Sequence, residues 1–521
     1  MQYPDNIQTI TTQHYTNNKT VGGYWPHLLI IFLVYFAAIS VSTWMTPIDF
    51  DGAMHFQVAE SLRDNFMYKS RYEPSKIYYP KITTNGPIQY FMAAMLKIFG
   101  LDLGRSLALG SVAGGAAVIS FLYCWQSFLL YSLLIVFWPI FFAAHTFFLG
   151  EVFTISMMMA GFINWERWSQ NAYSIARSTA IDRWETILVS RNLLYSGLFF
   201  GCAISTKLFA APSILLLLFC LAIDQHIITS DIKSLFKSPV VAVSIAVPYV
   251  IAIAMFILQF YVSTLHSGAD TTTSFILLKA FIESHMRQSQ IISLRNVNHI
   301  AMFKDQLVII VIYVIIFLFM LRKHMIMTIV IFTSIMLTLW LNLNQRRIMP
   351  LTVPFMLISM RIICQESISE DKVKLNIINR YYLVAVASII MMTADVLSST
   401  PITIVNNMLR FSLKGAAHNV ARISSKPGDR VYDNTLLPTL TRLTGPVFTS
   451  GWWQYPEISL RTGMIFYDRF AQKNRQLLNN TKRSFLLFSS KNQEDHLTER
   501  NLCGKILYRD GSLVLCRFSP H

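Results

Sequence analysis

The sequence predicts an all-α polytopic membrane protein with about eleven transmembrane helices, an interfacial helix, and a small C-terminal α/β domain on the outer face. Three observations carry that reading. Hydrophobic residues fill 53% of the 521 positions and charged ones only 14%, with a mean hydropathy of +0.44; soluble chains carry about a quarter charged residues. Apolar runs of about twenty residues, the length that crosses a bilayer core, recur through most of the chain. After residue 400 the material changes to mixed polar sequence with short alternating apolar runs.

The elements follow in order. A polar tail, residues 1–24, precedes a first span at 25–45 that has no small-residue cleavage site and so stays as an anchor. A loop over 46–100 carries Asp49 and Asp51 close to the end of that span. Within it, residues 88–99 begin after Gly86-Pro87 and are too few to cross a bilayer, which suits a helix lying at the interface. Further spans are expected at 106–123, 128–148 and 152–165, followed by a polar, arginine-bearing stretch at 166–192. Spans 193–205 and 208–223 flank Thr206-Lys207, and 240–262 leads into a long polar loop at 266–304. The segments 306–321, 325–343, 348–364 and 381–397 complete the set.

Charge bias sets the orientation. With 88–99 at the interface, the clusters Arg167–Arg191, Lys233–Lys237, Arg322-Lys323 and Lys372–Arg380 all share the N-terminal side. That side is cytoplasmic by the positive-inside rule. The transmembrane unit is then 25–399 and the domain 400–521 lies outside. The same spread of Lys and Arg over short loops accounts for the net charge of +16, and no basic-aromatic module supports nucleic-acid binding. The chain lacks a eukaryotic retention signal, which favours a bacterial inner (plasma) membrane. Cys124, Cys202, Cys220 and Cys364 lie in apolar spans as small core residues. Cys503 and Cys516 could pair if their domain faces an oxidising compartment. The Asp510-Gly511 turn between alternating apolar runs signals a hairpin.

This topology gathers Asp49, Asp51, Glu151, Lys207, Arg346 and Arg347 at the outer ends of separate helices. Each admits two readings. Asp51 suits a general base or a group positioning an acceptor or a divalent ion; Asp49 or Asp51 could also cap a surface helix whose apolar face is Ala53, Phe56, Val58, Ala59 and Leu62. Glu151 is either a second functional acid or an exposed turn residue. Lys207 could hold a lipid phosphate as a point charge or simply snorkel. Arg346 and Arg347 could bind a phosphate through paired hydrogen bonds or anchor a helix at the interface. His55 is a weaker candidate on the Asp51 segment.

The order of these features resembles the membrane glycosyltransferases that use polyprenyl-phosphate sugars, the GT-C protein O-mannosyltransferase-like family that includes the lipid A aminoarabinose transferase. That family opens its first outer loop with Asp-Glu-x-x-Tyr-x-x-x-Ala. Here Asp51 and Ala59 keep the spacing, with Gly52 and His55 at the Glu and Tyr positions. Next comes a Gly-Pro-initiated helix ending in Phe-Gly, matched by Thr84-Asn85-Gly86-Pro87-Ile88-Gln89-Tyr90 through Ile98-Phe99-Gly100. A second acid matches Glu151, a Thr-Lys pair before a Pro-containing span matches Thr206-Lys207 and Pro212, and an Arg-Tyr-x-x-Pro-like start matches Arg347-Ile348-Met349-Pro350 with Pro354.

The resemblance spans residues 25–360 and implies a cavity at the outer face fed by lipid from the side. It implies a reaction in which an acceptor (lipid, glycan or protein) attacks the anomeric carbon of a polyprenyl-phosphate sugar. Asp51, helped by Glu151, would be the catalytic acids, while Asp49, His55, Lys207, Arg346 and Arg347 would bind substrate. A Mg or Mn ion between Asp51 and Glu151 stays open, since two carboxylates need water to complete an oxygen-ligand set. Two other classes compete. A transporter or lipid flippase would show internal symmetry and charged, broken helices near the midplane, and a non-catalytic envelope scaffold would need no acids at the membrane edge.

Overall fold

The computed structural model describes residues 21–45, 48, 50–68, 86–137, 139–146, 150–177, 190–229, 239–266, 345–367 and most of 436–519 apart from short stretches, with a few single positions between 276 and 318. The expected spans 306–321, 325–343 and 381–397 lie almost wholly outside the described residues. What is described is mostly helical, with a small C-terminal sheet.

The first helix, α1 (Val21–Met45), is apolar all round, as suits a helix surrounded by lipid and other helices. The second, α2 (Phe50–Asn65), is buried all round from His55 to Leu62, polar Gln57, Glu60 and Ser61 included with Phe56, Val58 and Ala59. It ends at Phe66, whose φ of 56° puts a non-glycine residue in the left-handed region. The third, α3 (Gly86–Tyr123), is two helices joined at Gly100, where φ is 75°. Only glycine enters that conformation without a Cβ clash, so the residue that closes the expected 88–99 helix also makes the turn. The chain folds back tightly there: a Cβ on Gly104 would lie 2.7 Å from the Met95 carbonyl oxygen. Beyond the turn, α3 packs closely on α1, and a Cβ on Gly114 would lie 2.8 Å from the Phe32 carbonyl oxygen. Small residues at such contacts let helix backbones approach in a lipid environment.

Next come α4 (Trp125–Phe137) and α5 (Pro139–Thr146). The expected span 128–148 corresponds to these two helices, with Trp138 between them outside the described residues and Pro139 at the first position of α5, where a missing amide hydrogen is tolerated. Helix α6 (Glu151–Arg177) corrects a boundary. The stretch expected to be a polar loop from 166 remains helical to Arg177, with Glu166 and Trp168 buried.

Glu166 stays inside because it is paired. It accepts hydrogen bonds from Arg361 and, at 2.5 Å, from the Tyr123 hydroxyl, and the Arg361 guanidinium lies 4.6 Å from the Tyr123 ring centroid. A buried carboxylate without such partners would cost several kcal/mol, about 3–5 on removal of one partner.

Helices α7 (Arg191–Thr206), α8 (Ala210–Thr229), α9 (Pro239–His266) and α10 (Gln345–Ser367) complete the apolar bundle. Among the described residues, 25–44, 86–123 and 242–266 are long and apolar enough to cross a membrane by length and composition, and shorter apolar helices occur in α4, α8 and α10. The bundle is that of an integral membrane protein.

The C-terminal part holds α11 (Leu437–Thr441), β1 (Val447–Thr449), α12 (Pro456–Thr462), β2 (Phe466–Asp468), β3 (Phe485–Ser489), β4 (Cys503–Asp510) and β5 (Leu513–Phe518). The sheet order is β2-β1-β3-β5-β4. Strand β1 runs parallel to β2 and β3, and β5 runs antiparallel to β3 and β4. The hairpin signal holds, with Asp510 opposite Leu513, and Cys503 and Cys516 form a disulfide across it. Helix α12 attaches this unit to the bundle: Leu460 joins the membrane core, and Arg461 donates two hydrogen bonds, 3.0 and 3.3 Å, to Asp102 just past the Gly100 turn. The same helix packs against α2.

Candidate functional site

Glu151 is placed by the turn before it. Gly150 has φ 84°, and its carbonyl accepts both the Thr154 amide at 3.0 Å and the Thr154 hydroxyl at 2.9 Å, which fixes the start of α6. Glu151 is then the first helical residue, 3% exposed, at the end where helical N–H groups favour an anion. The reading of Glu151 as an exposed turn acid is excluded.

Lys207 is placed by a break between helices. Its amide caps α7 by bonding the Ala203 carbonyl at 2.9 Å, and its own carbonyl receives the Ala210 amide, also at 2.9 Å, to begin α8. An unbroken helix through this stretch would drive the Pro212 ring into the Leu208 carbonyl, so one extended residue intervenes, and that residue is the lysine. Its Nζ lies 3.7 Å from Glu151 Oε1. The pair touches as opposite charges but is longer than a hydrogen bond.

The start of α3 lies against the same break. A Cβ on Gly86 would sit 2.5 Å from the Ser205 carbonyl oxygen, so glycine is required for α3 to begin directly on the last turn before Lys207. Ile88 then lines a small apolar crevice with Leu109, Ala144, His145, Gly150 and Phe153. His145 Nδ1 donates to the Phe141 carbonyl at 2.7 Å, and Nε2 shares a hydrogen bond of 2.7 Å with the Tyr131 hydroxyl. Three motifs far apart in sequence, Gly86-Pro87, Glu151 and Thr206-Lys207, thus meet at one end of the bundle.

The other expected site residues are placed less completely. Asp51 lies in the first turn of α2, and the description of that turn does not extend to its side chain. His55, one turn further, is buried. Asp49 lies outside the described residues. Arg346 and Arg347 occupy the first turn of α10, again without described side chains. Their level follows from register. Ser127, early in α4, donates to the Leu357 carbonyl at 2.6 Å while Arg361 meets Tyr123, so α10 runs antiparallel to α4 and parallel to α6. Fifteen residues separate Glu151 from Glu166 and fifteen separate Arg346 from Arg361. With Glu166 and Arg361 paired, the first turns of α6 and α10 share a level, about 22 Å from the buried pair at 1.5 Å per residue.

Several residues here escape sequence reasoning. Tyr90 bonds His266 Nδ1 at 3.1 Å, and the Tyr68 amide donates to the His266 carbonyl at 3.1 Å, tying the segment after α2 to the end of α9. Burial pushes the Tyr68 phenol well above its ordinary value, with neighbouring Tyr90 adding to the shift. The only sequence signal for this cluster is aromatic content near helix ends. Glu166 and Arg361 did carry a signal, as single charges within or beside apolar runs. Among the described residues no group of three His, Cys, Asp or Glu could hold a metal ion.

Helix ends bearing charges thus meet at one end of an apolar bundle to which an α/β unit is attached. The same fold occurs in ArnT from Cupriavidus metallidurans bound to undecaprenyl phosphate, with a TM-score of 0.53, 12% identity, and 95% of this chain and 98% of that one covered. The apo state of that ArnT gives the same TM-score and identity over 96% of this chain and 98% of that one. No family model matches the sequence, and no curated protein matches it significantly. Shared fold at this identity is therefore a finding about architecture, and it agrees with the order of motifs.

Proposed function

We propose that the protein transfers a sugar from a polyprenyl-phosphate donor to a cell-envelope acceptor at the outer face of the membrane. The observation that carries the reading is the meeting of Gly86, Glu151 and Lys207 at one end of a bundle with the ArnT fold. Lys207 would hold the lipid phosphate as a cation in a poorly hydrated setting, where charge stabilisation of a leaving group is strongest. Arg346 and Arg347, at the level of Glu151, would add paired hydrogen bonds to the same phosphate. Asp51 would take the proton of the acceptor hydroxyl as its oxygen bonds to the anomeric carbon. The bond from that carbon to the phosphate oxygen breaks, and polyprenyl phosphate leaves with the electron pair. Glu151 would keep Lys207 aimed until phosphate arrives. A divalent ion held by Asp51 and Glu151, completed by water, would add to the charge that stabilises the leaving phosphate.

The test is transfer from polyprenyl-phosphate sugars by full-length protein in lipid nanodiscs, comparing wild type with Asp51→Asn. The expected loss in kcat is about 10²–10⁴-fold, the usual contribution of a general base. Transfer at the wild-type rate by folded Asp51→Asn would remove Asp51 from the mechanism.

A further inference from the structure

Gln89 is the polar residue of this site that neither motif nor pair accounts for. It lies in the first turn of α3, is wholly buried, and neither its Nε2 nor its Oε1 has a hydrogen-bond partner among the described residues. Buried side-chain amides are normally satisfied, and leaving both halves of one unmade carries the desolvation penalty of each group. Its direction follows from its neighbours on the same turn. Gly86 lies against Ser205, Ile88 lines the crevice that Gly150 also lines, and Tyr90 bonds His266. At about 100° per residue, Gln89 falls in the arc between Gly86 and Ile88, away from Tyr90. It therefore points between the last turn of α7 and the start of α6, where Glu151 and Lys207 meet.

We infer that Gln89 recognises a hydroxyl of the donor's sugar, an inference that rests on the glycosyltransferase reading. The chemistry of the amide selects the partner. A phosphate only accepts hydrogen bonds, so it would satisfy Nε2 and leave Oε1 bare. A sugar hydroxyl, or two neighbouring ones, both donates and accepts, and so completes both ends of the amide. The charges beside it hold the phosphate; Gln89 reads what is attached to it. A buried group built to bond a hydroxyl discriminates strongly against ligands that lack it.

The experiment measures dissociation constants of full-length protein in nanodiscs for undecaprenyl phosphate and for undecaprenyl phosphate bearing mannose, glucose, galactose or aminoarabinose. Wild type is expected to prefer at least one sugar-bearing lipid over the bare phosphate. Gln89→Met is expected to lose at least tenfold of that preference, to bind the bare phosphate within twofold of wild type, and to unfold at an equal or higher temperature. If Gln89→Met does not fold, Gln89→Leu is read by the same criteria. A preference untouched by the substitution, or the absence of any preference in wild type that binds the bare lipid, overturns the inference. An equal loss for bare and sugar-bearing lipids also overturns it, placing Gln89 on the phosphate. Wild type that binds none of these lipids instead overturns the glycosyltransferase reading.

Discussion

Replacing Gly86 with alanine tests whether the meeting of helix ends matters. The added Cβ would stand 2.5 Å from the Ser205 carbonyl oxygen and 3.0 Å from its carbon. These are backbone atoms, so no side chain can swing aside. Moving that oxygen contact from 2.5 Å to an ordinary one of about 3.4 Å parts the two ends by about 0.9 Å. Overpacking of this kind costs about 1–3 kcal/mol. Ser205 is two residues before Lys207, so the displacement falls on the lysine and on its partner Glu151. A misplacement near 1 Å lowers a positioned reaction about 10²-fold. The assay is kcat/KM for sugar transfer in nanodiscs alongside the thermal unfolding midpoint. Gly115→Ala is the control, because its Cβ would meet nothing within 4 Å; it should leave transfer unchanged and add up to about 1 kcal/mol of helix propensity. Gly86→Ala that matches wild type within threefold, with an unchanged midpoint, would refute the claim that α3 must start on Ser205.

Lys207→Met should leave the buried Glu151 without its nearest cation and destabilise the protein by about 3–5 kcal/mol. Adding Glu151→Gln should restore the unfolding midpoint while binding of undecaprenyl phosphate stays weak, and recovery of both would make the lysine merely structural. Arg461→Ala removes two charge-assisted bonds to Asp102, worth about 1–2 kcal/mol at this partly exposed contact. Limited proteolysis should then cleave between the bundle and the C-terminal sheet faster than in wild type; an unchanged rate would place the attachment elsewhere.

What the sequence made legible was set by local chemistry. Apolar runs located α1, α7, α8, α9 and α10 within a few residues; α1 and α9 hold runs long enough to cross a bilayer, and the others are shorter runs bounded by polar residues. Gly100, Gly150 and the Thr206-Lys207-Pro212 break were legible because backbone conformation there is dictated by residue type. The misreadings came where tertiary pairing overrode local signal. Glu166 reads as the edge of a loop until Arg361, 195 positions on, and Tyr123 supply its partners. Nothing in one dimension distinguishes a solvated glutamine from an orphaned one such as Gln89. Three-dimensional burial makes that distinction.

The Glu151–Lys207 pair gains little as a source of stability. A buried ion pair roughly breaks even against apolar residues of the same volume. This one, at 3.7 Å, also lacks the short hydrogen bond that would strengthen it. Glu166 and Arg361 show the contrasting case: about 22 Å further along α6, an acid and a base are joined by direct hydrogen bonds and a stacked ring. The tight pair locks α6 to α10. The looser pair, at the start of α6, holds its opposite charges in contact at a distance longer than a hydrogen bond.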